Sequence, residues 1–76
     1  MESVLNIEFE SLTPREREVL ALVVKGYNNV QIGKKLIISR HTAKSHVCSI
    51  LRKLSAANKT QLAVKAYKEG FLSKVI

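Results

Sequence analysis

The chain has 76 residues, of which 46% are apolar and 25% charged, and Cys48 is its single cysteine. These values predict one small globular domain and exclude a disordered or disulfide-stapled chain. No apolar run approaches the length of about 18 residues that a membrane span needs, and the N-terminus does not resemble a signal peptide, so we expect a cytoplasmic protein. The net charge is +7, and between Val19 and Lys68 there are ten Lys or Arg and no acidic residue, which suits a polyanionic partner better than a merely soluble surface.

The first predicted helix has a complete start signal. Thr13 can cap the free amides, and Pro14 then takes the first helical position, where its missing N–H costs nothing. Glu16 lies three residues after the cap, as a capping box requires. Gly26 suits the left-handed residue that ends many helices. Together these residues predict a helix over about 14–25.

The second predicted helix is short and contains a glycine. Asn28 and Gln31 repeat the cap signal, which predicts a helix over 29–36. Gly33 lies in its interior, where glycine costs about 1 kcal/mol relative to alanine. We therefore expect a neighbouring helix to approach closely at this position.

The third predicted helix begins after a turn of only about three residues. Ser39 is a good cap for a helix over about 40–54. Its apolar residues recur at helical spacing and form one stripe that faces a core: Ala43, Val47, Ile50, Leu51 and Leu54. Its opposite face is polar and basic: His41, Lys44, Ser45, Cys48 and Arg52. Two helices joined by a short turn, the second long and basic, predict a helix-turn-helix.

The fourth predicted helix covers about 59–69, between a cap at Asn58 and a stop at Gly70. Its inner side is expected to carry Leu62, Ala63, Ala66 and Tyr67. Val64 is the apolar residue on its outer side, and it is either a simple exposed valine or the anchor of a self-complementary dimer contact. No segment alternates as a strand does, so the predicted fold is an all-α four-helix bundle containing a helix-turn-helix.

Four stretches in order, LTPREREVLALVVKG, NNVQIGKKLIIS, HTAKSHVCSILRKL and NKTQLAVKA, resemble the DNA-binding domain of the LuxR/NarL (GerE-type) family of bacterial transcription regulators. The resemblance covers about residues 12–72. It implies that the third helix enters the major groove of double-stranded DNA and that the fourth pairs two copies on inverted half-sites. The family often adds a phosphorylated receiver, as in response regulators, or a ligand-binding domain. The domain is assigned to 12–76, and 1–11 to a tether or fragment boundary.

The resemblance also implies roles for individual residues. The base-contacting residues would be Lys44, Ser45 and Cys48. The phosphate-contacting residues would be Asn29, Thr42 and His46, to which Arg40 and Arg52 are added from their places on the third helix. The dimer interface, assigned from the outward side of the fourth helix, would comprise Gln61, Val64, Lys65 and Lys68. Glu16 corresponds to an acid that supports the fold. Several positions depart from the usual family residue, among them Gly33, Ala43, Cys48, Ser55 and Lys59; at Ser55 many members have glycine, so a left-handed backbone there would be strained.

The predicted function is therefore sequence-specific binding of double-stranded DNA in transcription regulation, as a homodimer, with RNA polymerase as a further candidate partner. The main alternative is a protein-interaction module that binds another regulator through the fourth helix. The sequence contains no nucleophile–base pair and no glycine loop that could cradle a phosphate, so it does not suggest an enzyme. No cofactor or small-molecule ligand is expected. His41, His46 and Cys48 lack the four-ligand spacing of a zinc site. Cys48 remains a thymine-methyl contact, a spectator or a redox-sensitive thiol.

Overall fold

Four α-helices make up most of the computed structural model, which describes residues 11–68 and contains no strand within that range. The predicted all-α class and all four helices are confirmed. Two helices end one residue earlier than expected, because Lys25 and Leu54 are C-cap residues and not helical. The predicted stop at Gly70 lies outside the described residues, as does most of the predicted tether. The helices are α1 (Pro14–Val24), α2 (Asn29–Leu36), α3 (Arg40–Lys53) and α4 (Lys59–Lys68).

The predicted caps start the first three helices. The Thr13 hydroxyl accepts from the Glu16 amide at 3.1 Å, and the Glu16 carboxylate accepts from the Thr13 amide at 2.9 Å. Asn28 and Gln31 form the same reciprocal pair, with both distances 2.8 Å. Ser39 accepts from the first turn of α3. These hydrogen bonds satisfy backbone amides that are unpaired at the start of a helix. The four-residue cap patterns therefore predict the first residue of each helix accurately.

The cap of α4 differs in one detail from the predicted pair. Asn58 accepts from the Gln61 amide at 2.9 Å, as expected. The Gln61 side chain, however, accepts from the amide of Ala57 at 3.0 Å and not from that of Asn58. The glutamine therefore fastens the incoming chain one residue earlier than in a standard capping box.

Three connections use a left-handed backbone. Gly26 ends α1 with φ +95, as predicted. Ile37 ends α2 with φ +57, and Ser55 follows α3 with φ +56. Ser55 therefore does carry the strain expected of a residue with a Cβ atom in this region, and Ile37 is a second such position that the sequence did not reveal.

Ile37→Gly should raise the free energy of unfolding by about 1 kcal/mol. Ile37 is β-branched, is left-handed, and is 91% exposed, so glycine relieves strain and removes almost no packing. Urea unfolding followed by circular dichroism measures the change. Val30→Gly, which removes a β-branched side chain from an ordinary helical position of α2, should destabilise instead. A loss of stability in Ile37→Gly would mean that its side chain makes a necessary contact.

The core forms where α1 meets α3 and α4. α3 packs on both α1 and α2, whereas α4 packs mainly on α1. From α3, the predicted core residues are buried except Leu51, which is half-buried against the core. The buried apolar residues are Leu12, Val19, Leu20, Leu22, Val23, Ile32, Ala43, Val47, Ile50, Leu54, Leu62 and Ala66. Among the described helices, none combines the length and the apolar character needed to traverse a bilayer.

The prediction that Tyr67 lies in the core is wrong. Leu62 and Ala66 are fully buried, but Tyr67 is 70% exposed. α4 has one main helical neighbour, which covers a single stripe of residues four apart. The residue after Ala66 is turned about 100° away from that stripe. Ala63, also predicted to face inward, is half-buried at the margin.

Gly33 allows the turn between α2 and α3 to fold tightly. A Cβ atom built at Gly33 would lie 2.7 Å from the carbonyl oxygen of Ile38 and 3.4 Å from the amide nitrogen of Arg40. The expected close approach to Gly33 is thus confirmed. The atoms that approach it belong to the backbone of the turn and of the start of α3, and not to the side of a neighbouring helix. This contact sets the position of α3 relative to α2.

Candidate nucleic-acid interface

α3 exposes one continuous polar face, here called the α3 outer face. Its members are all exposed, while Ala43, Val47 and Ile50 on the opposite side are buried. The predicted division of α3 into a core side and an outer side is therefore confirmed. The α3 outer face consists of His41, Lys44, Ser45, Cys48 and Arg52. It includes all three residues predicted to contact bases.

The residues predicted to contact phosphates lie in different settings. Arg40 and Arg52 are exposed near the two ends of α3, and Thr42 is exposed in its first turn. The Thr42 hydroxyl accepts from the Ser39 hydroxyl at 2.9 Å, which leaves its own proton available to an acceptor such as a phosphate oxygen. His46 is half-buried, so less of its side chain is accessible.

Asn29 lies apart from α3 in sequence but beside it in space. It is the first residue of α2, and with Arg40, His41 and Lys44 it lines a shallow depression of about 360 Å³. The Oδ1 atom of Asn29 is buried and has no hydrogen-bond partner. The fold therefore gathers a neutral amide and three basic side chains at the point where α2 and α3 begin.

No carboxylate of residues 11–68 balances the charge of the α3 outer face. The acids in this range are Glu16 and Glu18, both on α1. Glu18 pairs with Arg15 at 3.2 Å on the surface, and Glu16 is buried. The cations on the α3 outer face are thus directed to solvent with their positive potential uncompensated, which is the electrostatic requirement for binding a polyanion.

Glu16 connects α1 to the C-terminal half of α3. Its carboxylate accepts from the Lys53 ammonium at 2.8 Å and from the Ser49 hydroxyl at 2.8 Å, besides the Thr13 amide. Burial alone would raise the pKa of the Glu16 carboxyl. The hydrogen bonds from Lys53, Thr13 and Ser49 and the charge of the ammonium outweigh burial and lower that pKa from 4.5 to about 2. The carboxylate is therefore fully ionised at neutral pH.

Sequence reasoning had recognised Glu16 as a cap and a support of the fold but missed its partners on α3. One signal was available: Glu16 lies on the same face of α1 as Val19 and Leu20, so it had to be buried. A buried carboxylate needs a cation or several donors, but the sequence offers many lysines and does not single out Lys53.

The residues predicted to form a dimer interface divide into two groups. Val64 is 47% exposed, and with Lys68 and Tyr67 it lines an apolar groove between α4 and Val24 at the end of α1. The Gln61 side chain is exposed but is engaged by Ala57. Lys65 is half-buried, and its ammonium donates to the carbonyl of Leu54, the C-cap of α3.

Lys65 thus stabilises the C-terminal end of α3, where a cation is favoured by the helix dipole. Val64 and Lys68 remain the members of the predicted interface that border the apolar groove. Tyr67, predicted to be buried, is 70% exposed beside them. This apolar groove consists of Val24, Ala63, Val64, Tyr67 and Lys68.

Within residues 11–68, no three His, Cys, Asp or Glu side chains come together as a metal site would require. Cys48 is an exposed free thiol on the α3 outer face. Its position there is compatible with each of the three roles considered for it.

Comparison with known proteins gives consistent results. A family model described as "Bacterial regulatory proteins, luxR family" matches residues 10–66. The transcriptional regulatory protein LiaR of Bacillus subtilis is 46% identical over 64 residues, which are 84% of this chain and 30% of LiaR. The transcriptional regulatory protein DegU of Brevibacillus brevis is 46% identical over 61 residues, 80% of this chain and 26% of DegU.

The response regulator protein VraR of Staphylococcus aureus is 39% identical over 64 residues, 84% of this chain and 31% of VraR. The chain therefore spans less than a third of the length of each of these relatives. The region that they share with it contains the complete helix-turn-helix and the α3 outer face. This chain belongs to the luxR family of bacterial regulatory proteins and carries the helix-turn-helix DNA-binding domain of that family.

Proposed function

We propose that this domain binds specific sequences of double-stranded DNA and thereby regulates transcription, with α3 in the major groove. The observation that carries the proposal is the α3 outer face, which is exposed, basic and free of acid, on a helix of 14 residues. Such a helix fits the width of the B-DNA major groove. The family and the names of its relatives, which are transcriptional regulators, support the same function.

In this arrangement the contacts to phosphates fix the position of the domain on the DNA, and the contacts to base edges determine which sequence it binds. Lys44 would donate to guanine O6 or N7, the commonest acceptors for lysine in the major groove. Ser45 and Cys48 follow it on the same face and would contact neighbouring bases. The phosphate contacts would come from both ends of α3 and from the start of α2: Asn29, Arg40, Thr42, His46 and Arg52.

Two copies would bind together on inverted half-sites through α4. The apolar groove supports this part of the proposal because Val64 and Tyr67 leave apolar surface in water that a second copy would cover. Lys68 lies at the same groove, and Gln61 and Lys65 would border the contact. A symmetric pair places its two recognition helices about one turn of DNA apart.

The test is selection of binding sites from random duplex DNA with the native chain and with Lys44→Ala. We expect a recovered half-site, often as an inverted pair. Lys44→Ala should lose about 2 kcal/mol of preference at one base pair, because a base-contacting lysine contributes about 1–3 kcal/mol of discrimination. Binding constants for the selected duplex and for single-base variants measure this loss.

Lys25→Ala is the matched control, since Lys25 is also an exposed lysine but lies at the C-cap of α1. It should retain the base preference of the native chain. If no consensus is recovered and all three proteins bind every sequence alike, specific readout by α3 is wrong. The apolar groove would then favour the second candidate function, a module that binds another regulator through α4.

A further inference from the structure

The depression at the start of α2 and α3 contains an ionisable side chain that the proposed DNA contacts leave unused. Its lining consists of Asn29 from α2 and of Arg40, His41 and Lys44 from the first turns of α3. The other three have a role in the proposed complex, and His41 has none. Its position among them indicates that it shares their ligand.

The charges around this depression indicate that the ligand is an anion. The charged groups that line the depression with His41 are the cations Arg40 and Lys44, and the positive end of the α3 dipole lies at the same place. The remaining lining residue, Asn29, is neutral, and the NH2 group of its side-chain amide can donate to an anionic oxygen.

We infer that His41 is a phosphate ligand that binds the DNA backbone as the imidazolium, so that the affinity of the domain for DNA rises as the pH falls. This inference rests on the proposed DNA binding but not on its sequence preference. Histidine is the side chain type that changes charge between about pH 5 and 8, whereas backbone phosphodiesters keep their charge throughout. A bound phosphate attracts the imidazolium and not the neutral ring. Proton uptake and DNA binding therefore favour each other.

The test measures binding of a fluorescently labelled duplex at about pH 6 and about pH 8 for the native chain, His41→Gln and His41→Arg. The native chain should bind about three- to tenfold more tightly at the lower pH, since one linked proton changes affinity by at most tenfold per pH unit. His41→Gln should bind weakly at both. His41→Arg carries a permanent charge and should bind tightly at both, which a purely structural role of His41 would not produce.

His46→Gln is the matched control because His46 is the other histidine of the same helix. His46 is itself a proposed phosphate contact, so this variant should weaken binding at both pH values, while the ratio of the two affinities stays that of the native chain. The slope of log affinity against log salt should be steeper by about 0.9 at the lower pH for the native chain, which corresponds to one additional neutralised phosphate, and should not change with pH for His41→Arg.

A duplex series in which one phosphate at a time is replaced by a neutral methylphosphonate identifies the anion. One replacement should abolish the pH response of the native chain and should weaken His41→Gln less than the native chain at about pH 6. A pH response that persists in His41→Gln, or no response in a native chain that binds DNA, overturns the inference. Absence of DNA binding at every pH overturns the proposed function instead.

Discussion

Glu16→Gln should lower the free energy of unfolding at pH 7 by about 2–3 kcal/mol. The pKa of Glu16 is lowered from 4.5 to about 2, which corresponds to about 3 kcal/mol in favour of the folded state. The Lys53 side chain is 33% exposed, and its partial contact with water offsets some of that loss. Glutamine keeps an acceptor oxygen for the Thr13 amide, and its N–H can donate to the Ser49 hydroxyl, so the variant chiefly removes the charge.

The pH dependence of the free energy of unfolding tests the same prediction independently. A carboxyl whose pKa is lowered by folding stabilises the protein above its unfolded pKa, and this contribution is lost as the pH falls through its folded pKa. The difference in free energy of unfolding between the native chain and Glu16→Gln should therefore be complete at pH 7. It should shrink as the pH falls from about 4.5 to about 2. Urea unfolding at a series of pH values measures both proteins.

Glu18→Gln is the control for this experiment. Glu18 pairs with Arg15 on the surface, and its side chain is 59% exposed, so its removal should cost no more than about 0.5 kcal/mol. Equal losses in the two variants would mean that the buried pair of Glu16 and Lys53 contributes no more than an ordinary surface pair.

Gly33→Val should lower the free energy of unfolding by about 3 kcal/mol. Its Cβ atom would meet the carbonyl oxygen of Ile38 at 2.7 Å, and a backbone atom cannot move aside as the end of a side chain can. Overpacking of this kind costs about 1–3 kcal/mol, and the two γ-methyl groups of valine add further crowding. Because the displaced backbone leads into α3, the variant should also lose sequence preference in DNA binding.

Two companion variants separate crowding from helix propensity. Lys34→Val places the same β-branched residue at an exposed position of α2 and should cost less than about 1 kcal/mol. Gly33→Ala introduces the Cβ atom alone, and its gain of about 1 kcal/mol in helix propensity offsets part of the strain. We expect a lower urea midpoint for Gly33→Val than for Gly33→Ala. The reverse order would contradict a tight turn.

Local signals predicted the helices of this domain well, because each start depends on residues within one turn of chain. Thr13 with Glu16 and Asn28 with Gln31 are complete in sequence and pair as expected. The two faces of α3 also follow from periodicity alone. Its C-terminal boundary was one residue too long because Leu54 is apolar and buried but already acts as the C-cap.

Features that depend on tertiary partners were not predicted. Tyr67 fits an inner position by type and spacing, yet α4 has too narrow a contact with α1 to cover it. The left-handed backbone of Ile37 contradicts its residue type and is imposed by the short turn into α3. The grouping of Asn29 with Arg40, His41 and Lys44 required the packing of α2 on α3.

The pair of Glu16 and Lys53 also bears on how fast the domain folds and unfolds. It joins residues 37 positions apart, whereas α2 and α3 meet across one short turn. Contacts that close a long loop tend to form late, so we expect α2 and α3 to assemble before α1 docks. In stopped-flow experiments Glu16→Gln should then unfold about 30–100-fold faster while folding at nearly the native rate. The buried carboxylate would thus govern the lifetime of the folded domain and not the speed of its formation.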